Sequence, residues 1–262
     1  MSTKWCRFEA GGKASYGRID GDTVVAVEGA PWGEHRVGSA RHSLSSVKLL
    51  VPTIPSTFYC VGINYRDHII QAAKRRGVEP VFPQRPDIGY RANNALCAHG
   101  DPIVRPKDSG EVFQYEGELV AVIGKQGRKI APNKALEHVF GWTVGNDVSE
   151  RTWQRSDRTM WRAKNADTFK PMGPWIVTGL DYRYMTTVIR LNGEEVDRFA
   201  TANMIHDVET YIAEVSKYCT LYPGDVIWMG TDGSPRNMKV GDVCEIEING
   251  IGTLRNRVVA ED

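Results

Sequence analysis

The alternation of apolar and polar positions divides the chain into many short strands and few helices. Ala14 to Ile19 and Thr23 to Val27 are strand-like runs joined by Asp20-Gly21-Asp22, which predicts a hairpin. Pro31 to Ser46 is polar and reads as irregular, and Val51-Pro52-Thr53-Ile54-Pro55 reads as a linker. Beyond it come Phe58 to Val61, ending at Gly62, then Tyr115 to Gly124 and Trp175 to Thr178, each with the texture of a strand. Thr187 to Leu191, Asn192-Gly193 and Glu194 to Phe199 predict a type I′ hairpin. Val243 to Ile248, Asn249-Gly250 and Gly252 to Val259 repeat the signal. Ile205, Val208, Ile212 and Val215 recur at helical spacing and predict a helix from Ile205 through Lys217, with Asn203 as N-cap. A shorter helix is predicted from about Asp147 through Trp161. The pattern is mostly β with a few helices, an α+β chain without βαβ alternation. It divides into a small β-rich N-terminal unit, residues 1–52, and a larger unit, residues 53–262.

The most informative local feature is Tyr115-Glu116-Gly117-Glu118-Leu119-Val120-Ala121-Val122. Side chains two apart on a strand share a face, about 6.6 Å apart along the chain. Glu116 and Glu118 are therefore neighbours, with Gly117 expected to leave the opposite side open. On pattern alone a Glu-x-Glu strand reads as a solvated face. The same face continues as Val120 and Val122, however, and a solvated face would stay polar. Two carboxylates at the mouth of an apolar face repel each other unless a cation joins them. A third carboxylate, Asp147, follows an apolar strand in Val144-Gly145-Asn146-Asp147. Alone it reads as a helix N-cap. With Glu116 and Glu118 it completes an all-oxygen set suited to Mg²⁺ or Mn²⁺, with Ca²⁺ also acceptable. Few histidines and no paired cysteines surround it, which disfavours zinc.

Composition narrows the function classes. The 262 residues carry 33 Lys+Arg against 32 Asp+Glu, a net charge of +1 that offers no footprint for nucleic acid or an acidic membrane. A small chelated substrate fits better. The opening Met1-Ser2-Thr3-Lys4-Trp5-Cys6-Arg7 lacks an apolar signal segment, and no apolar run is long enough to span a bilayer. The five cysteines are scattered and odd in number, so each is expected to be a reduced, buried thiol in a cytoplasmic protein.

The motifs, taken in order, resemble the fumarylacetoacetate hydrolase family. They are Gly62-Ile63-Asn64-Tyr65-Arg66-Asp67-His68, Gly100-Asp101-Pro102-Ile103-Val104, Tyr115-Glu116-Gly117-Glu118-Leu119 and Asn146-Asp147-Val148-Ser149-Glu150-Arg151. Ala163-Lys164, Asp167-Thr168-Phe169, Gly173-Pro174-Trp175, Pro223-Gly224-Asp225-Val226-Ile227 and Gly252-Thr253-Leu254-Arg255-Asn256 follow. The resemblance implies a mixed β-roll catalytic domain over 53–262 behind the small N-terminal domain, usually as a homodimer. It also implies divalent-metal chemistry on 2-oxo or 1,3-dioxo acids. The metal residues carry over to Glu116, Glu118 and Asp147. Lys164, Arg151 and Gln154 match positions lining the substrate, and His68 matches the histidine that activates water. Arg91 stands where a lysine is usual, and Thr231-Asp232 where Thr-Pro is usual beside the site, so Arg91 and Thr231 enter the expected substrate site. Hydrolytic members place a glutamate three residues after the histidine. Here that residue is Gln71, which can hydrogen-bond but carries no charge, and Glu79 or Asp87 in a long segment from Lys74 to Tyr90 could substitute. His206 stands where an apolar residue is usual and reads as a satisfied or exposed helix histidine.

Three functions follow. The first is metal-dependent hydrolysis of a C–C bond in an acylpyruvate or related 1,3-diketo acid, in catabolism, with His68 as base. The second is decarboxylation or keto–enol isomerisation of a 2-oxo diacid such as oxaloacetate, which Gln71 favours because no water need be activated. The third is a non-catalytic, metal-stabilised scaffold, which has no need of Lys164 and Arg151.

Overall fold

The structure, a computed structural model, describes residues 2–262 apart from the Arg75 side chain; Met1, the start of the expected N-terminal unit, lies outside them. Thr3–Ala10, Lys13–Asp20, Thr23–Glu28 and Arg36–Ser43 form an antiparallel meander. The turn at Gly21, φ +56°, lies where the sequence predicts it. Arg36–Ser43 is a strand where the sequence reads as irregular. Its side chains are mostly exposed, so it carries no apolar alternation. It is held chiefly by backbone pairing to Thr23–Glu28, with the Arg36–Glu28 ion pair and the His42 ring against Phe8 added.

The meander continues the main sheet, because Thr3 pairs with Thr178 on Lys170–Thr178. Inward from there run Val139–Asn146, Gly117–Ile123, Val226–Trp228, Phe58–Val61 and Ile88–Tyr90. The sheet is mixed, since Val226–Trp228 and Phe58–Val61 are parallel. A five-stranded sheet of Glu194–Ala200, Thr186–Leu191, Val243–Ile248, Gly252–Ala260 and Ile103–Arg105 packs against it. Asn192 and Gly193 both take positive φ, as a type I′ turn requires. The second Asn-Gly hairpin differs: Ile248 pairs with Gly252, which leaves three residues in its loop.

Gly117–Ile123 is buried on both faces, which corrects the expected open side at Gly117. A Cβ there would lie 2.8 Å from Ile189 Cδ1 and 3.0 Å from Ile246 Cγ2. The Glu118 face continues, as expected, into a core of Val120, Val122, Phe58, Met172, Ile176 and Trp228. Gly145 pairs opposite Glu118, and a Cβ on it would fall 2.6 Å from the Trp228 ring. That ring is fully buried and has nowhere to retreat. Gly145→Ala is therefore expected to destabilise the fold by about 1–3 kcal/mol through overpacking, readable as a lower denaturant midpoint at unchanged slope.

Among the described residues four α-helices decorate the sheets: α1 (Arg66–Arg76), α2 (Arg151–Gln154), α3 (Trp161–Asn165) and α4 (Val208–Tyr218). The single helix expected from Asp147 to Trp161 is instead the bridge strand Ser149–Glu150 followed by α2 and α3. Glu150, not Asp147, is the N-cap, accepting from the Thr152 and Trp153 amides. Met160 at φ +55° turns the chain before α3, whose first-turn amides of Arg162 and Ala163 donate to Asp157. α4 starts three residues later than expected. The amides of Ile205 and His206 are drawn to Asn64, so Asp207 rather than Asn203 caps the helix through the Thr210 amide. His206 thus precedes the helix, half-buried, with Nε2 3.2 Å from the Pro83 carbonyl. Four cysteines are buried and Cys219 is half-buried. No helix among the described residues is long and apolar enough to cross a membrane.

Candidate active site

Two adjacent strands deliver the carboxylates to one point. Glu116 and Glu118 lie at the start of Gly117–Ile123, and Asp147 follows the end of its antiparallel neighbour Val139–Asn146. Asn146 locks the two ends together. Its Oδ1 accepts the Glu116 amide at 3.0 Å, while the Asp147 amide donates to the Glu116 carbonyl at 2.9 Å. From Glu116, Glu118 and Asp147, one carboxylate oxygen each can be chosen so that all lie within 4.8 Å of one another, and all three residues are buried.

Four cations surround this cluster. Lys164, on α3, bridges Glu116 Oε2 at 2.5 Å and Asp147 Oδ2 at 3.1 Å. Arg151, at the start of α2, donates to Glu116 Oε1, to Gln114 Oε1 at 3.0 Å and to Gln154 Oε1 at 2.9 Å. Arg91 donates through Nε and Nη2 to both Asp147 oxygens, at 3.2 and 2.8 Å. Lys170 Nζ sits 2.5 Å from Asp147 Oδ1 and also donates to the Val148 and Phe169 carbonyls. The sequence reading missed Lys170. It lies at the head of a strand whose next residues are apolar and is completely buried, and a buried lysine there needs a carboxylate partner.

The electrostatics separate the three acids. Burial raises the Asp147 pKa, but Arg91, Lys164 and Lys170 more than reverse this and hold it well below the usual carboxylate range. Glu116 is likewise held down, its burial outweighed by Arg151 and Lys164. Glu118 goes the other way: burial first, then Asp147 and Glu116, push its pKa well up. Its hydrogen bond comes from the Gly230 amide at 2.8 Å, and among the described residues it forms no ion pair. A buried, all-oxygen set in which one carboxylate is short of positive charge suits a hard divalent cation. Glu116, Glu118 and Asp147 fit the metal that the sequence implies.

His68 lies beside this cluster on α1, close enough for Glu116 and Arg151 to act on its charge. Burial lowers its pKa below the ordinary 6.5, and Glu116 opposes that shift. Its ring Nδ1 is 3.3 Å from the Thr231 carbonyl, and its amide donates to Asp232 Oδ1 at 3.2 Å. None of the three expected orienting residues reaches the ring. Gln71 points to solvent, three residues along a helix whose solvent side it occupies. Glu79 borders a cavity of about 400 Å³ between α1 and residues 78–87, beside Ile69 and Ala73. Asp87 lies against Gly62. The 78–87 segment is tied to α4 by the Arg85–Glu214 pair at 2.8 Å. Arg91, expected to meet substrate, has two of its three nitrogens committed to Asp147.

Comparison with known proteins adds the family. Residues 57–259 match the family model described as fumarylacetoacetate (FAA) hydrolase C-terminal, and residues 3–52 match one described as Rv2993c-like, N-terminal. Protein Rv2993c of Mycobacterium tuberculosis is 36% identical over 258 residues, covering 94% of each chain. The oxaloacetate tautomerase YisK of Bacillus subtilis is 34% identical over 257 residues, covering 91% of this chain and 84% of its own. The crystal structure of 2-hydroxyhepta-2,4-diene-1,7-dioate isomerase from Mycobacterium marinum superposes with a TM-score of 0.88 at 32% identity, covering 99% of both chains. With its motifs in order, its carboxylates converging and its main unit matched almost end to end, the chain belongs to the fumarylacetoacetate hydrolase family.

Proposed function

We propose that the chain is a divalent-metal-dependent enzyme that moves a proton on a 2-oxo acid, interconverting keto and enol forms of a small diacid. The observation that carries this reading is one buried cluster in which three carboxylates face four cations with a neutral histidine alongside. A Mg²⁺ or Mn²⁺ held by Glu116, Glu118 and Asp147 would supply Lewis acidity toward the substrate's keto and carboxylate oxygens. His68 takes the proton from the carbon next to the keto group. The C–H electron pair becomes the new C=C bond, and charge arrives on the keto oxygen, where the ammonium of Lys164 stabilises it. Arg151, held by Gln114 and Gln154, faces the substrate carboxylate, and Thr231 borders the same space. The relatives named a tautomerase and an isomerase support this class of reaction.

Hydrolysis of an acylpyruvate C–C bond is the second reading, because it leaves the same enolate. It needs a water activated by His68, and the ring's hydrogen-bond partner is a carbonyl rather than a carboxylate. That makes a weaker base and favours proton transfer over hydrolysis. Purified protein with Mn²⁺ is to be given oxaloacetate and an acylpyruvate while enol absorbance, diketo absorbance and CO₂ are followed. Faster enol–keto equilibration without CO₂ is the expected result. Faster acylpyruvate cleavage would move the assignment to hydrolysis, CO₂ release to decarboxylation, and inertness toward both with metal bound to a scaffold. The homodimer that the family resemblance implies is a further proposal, tested by light scattering of the same sample.

The pH dependence follows from His68. Its pKa lies below 6.5, so it is neutral at pH 7 and able to accept a proton. The rate kcat/KM is expected to fall toward acid with a midpoint below that value, as His68 protonates. The limb should vanish in His68→Gln.

A further inference from the structure

His68 lacks the carboxylate that Gln71 replaces, yet it is held at two points. Helix α1 begins at Arg66 with Tyr65 in the N-cap position, and no side-chain cap bond forms there. A tyrosine hydroxyl stands too far from its own backbone to serve the first turn. The amide of His68, the third helical residue, is served instead from across the fold by Asp232 Oδ1 at 3.2 Å. The adjacent Thr231 presents its carbonyl to the His68 ring at Nδ1, 3.3 Å away. A carbonyl only accepts, so Nδ1 carries the ring proton and Nε2 keeps the lone pair. No hydrogen bond to Nε2 forms among the described residues. Both contacts come from one dipeptide, which follows directly on Gly230, whose amide holds Glu118.

We propose that Asp232 is a positioning residue for His68: by gripping its amide it holds the ring against the Thr231 carbonyl in the Nδ1–H tautomer, with Nε2 as the basic nitrogen. This rests on the reading of His68 as the proton carrier. The device differs from a histidine–carboxylate pair, because the acid bonds the backbone amide rather than the imidazole. Among the influences on the ring's charge Asp232 ranks last, behind burial, Glu116, the Thr231 carbonyl and Arg151. Asp67 on α1 and Asp197 on Glu194–Ala200 already act unfavourably on the Asp232 charge. An asparagine, whose Oδ1 accepts equally well, should therefore serve in its place, whereas an alanine should not.

The test combines kinetics with ¹⁵N-histidine spectra of the full chain, the His68 signals being those lost in His68→Gln. Wild type and Asp232→Asn are expected to show His68 as one Nδ1–H tautomer with similar kcat. Asp232→Ala is expected to show mixed tautomers and a kcat lower by about tenfold, a fraction of the roughly 10²–10⁴ that a positioned base contributes. KM and Mn²⁺ binding should not change. A wild-type spectrum of the Nε2–H form, or a wild-type spectrum and kcat in Asp232→Ala, would overturn the proposal. If His68→Gln keeps full turnover, the proton-carrier reading fails, while the spectra still decide what Asp232 does to the ring.

Discussion

Asp147→Asn is expected to lower the stability of the metal-free protein by about 3–5 kcal/mol, the usual cost of removing one partner from a buried ionic group. Asp147 is the shared counter-ion of Arg91, Lys164 and Lys170, all on its two oxygens. An amide in its place would present an NH₂ group to cations that need acceptors. For a chain of this size the loss corresponds to roughly 6–20 °C in melting temperature. The defect should shrink as pH rises. Burial, opposed by Asp147, already brings the Lys170 pKa to about 8, and without Asp147 the lysine sheds its proton more readily. A folded state binding fewer protons than the unfolded chain gains stability with pH, which fixes the sign. A variant that melts within about 2 °C of wild type at neutral pH would mean that these cations do not depend on Asp147.

Lys164→Met is expected to reduce kcat/KM by about 10²–10³, the effect of removing one donor aimed at developing oxyanion charge. The fold should tolerate the change. Glu116 keeps Arg151, and Asp147 keeps Arg91 and Lys170. The methionine matches the lysine stem in volume at a site where the side chain is 5% exposed. Steady-state kinetics at saturating Mn²⁺ separate the possibilities. A fall mainly in kcat points to charge stabilisation in the transition state, and a rise in KM alone points to ground-state binding. An unchanged kcat/KM would remove Lys164 from the chemistry.

These expectations draw unequally on sequence and structure. The Glu116–Glu118 pair was legible because strand periodicity is local: two residues fix a face, and the valines beyond it fix burial. Asp147 alone read as a helix cap and joined them only beside that pair and through the family resemblance. The type I′ hairpin at Asn192-Gly193 was legible for the same reason, its positive φ values being written in the residue types. The partners of these elements were not. Asp232 meets His68 across 164 residues, and nothing in either segment announces the other. Lys170 looks like any strand-edge lysine until the fold seals it against Asp147. Helix starts failed where a tertiary bond drew the first amides away, as Asn64 does with Ile205 and His206. The family resemblance marked His68 and Lys164, while Gln71 pointed to a missing carboxylate that the fold supplies in another form.

The central claim is that Glu116, Glu118 and Asp147 hold one divalent ion, and Glu118 is where it can be tested with least disturbance. Glu118 is in no ion pair among the described residues, so Glu118→Gln strands no buried cation and keeps an oxygen for the Gly230 amide. Removing a carboxylate that its neighbours force toward the neutral form should leave the metal-free melting temperature equal or higher. The measurement is a Mn²⁺ titration of both proteins by calorimetry. Wild type should bind one ion per chain and Glu118→Gln should bind none in the same range. Equal stoichiometry and affinity in the two would contradict the account.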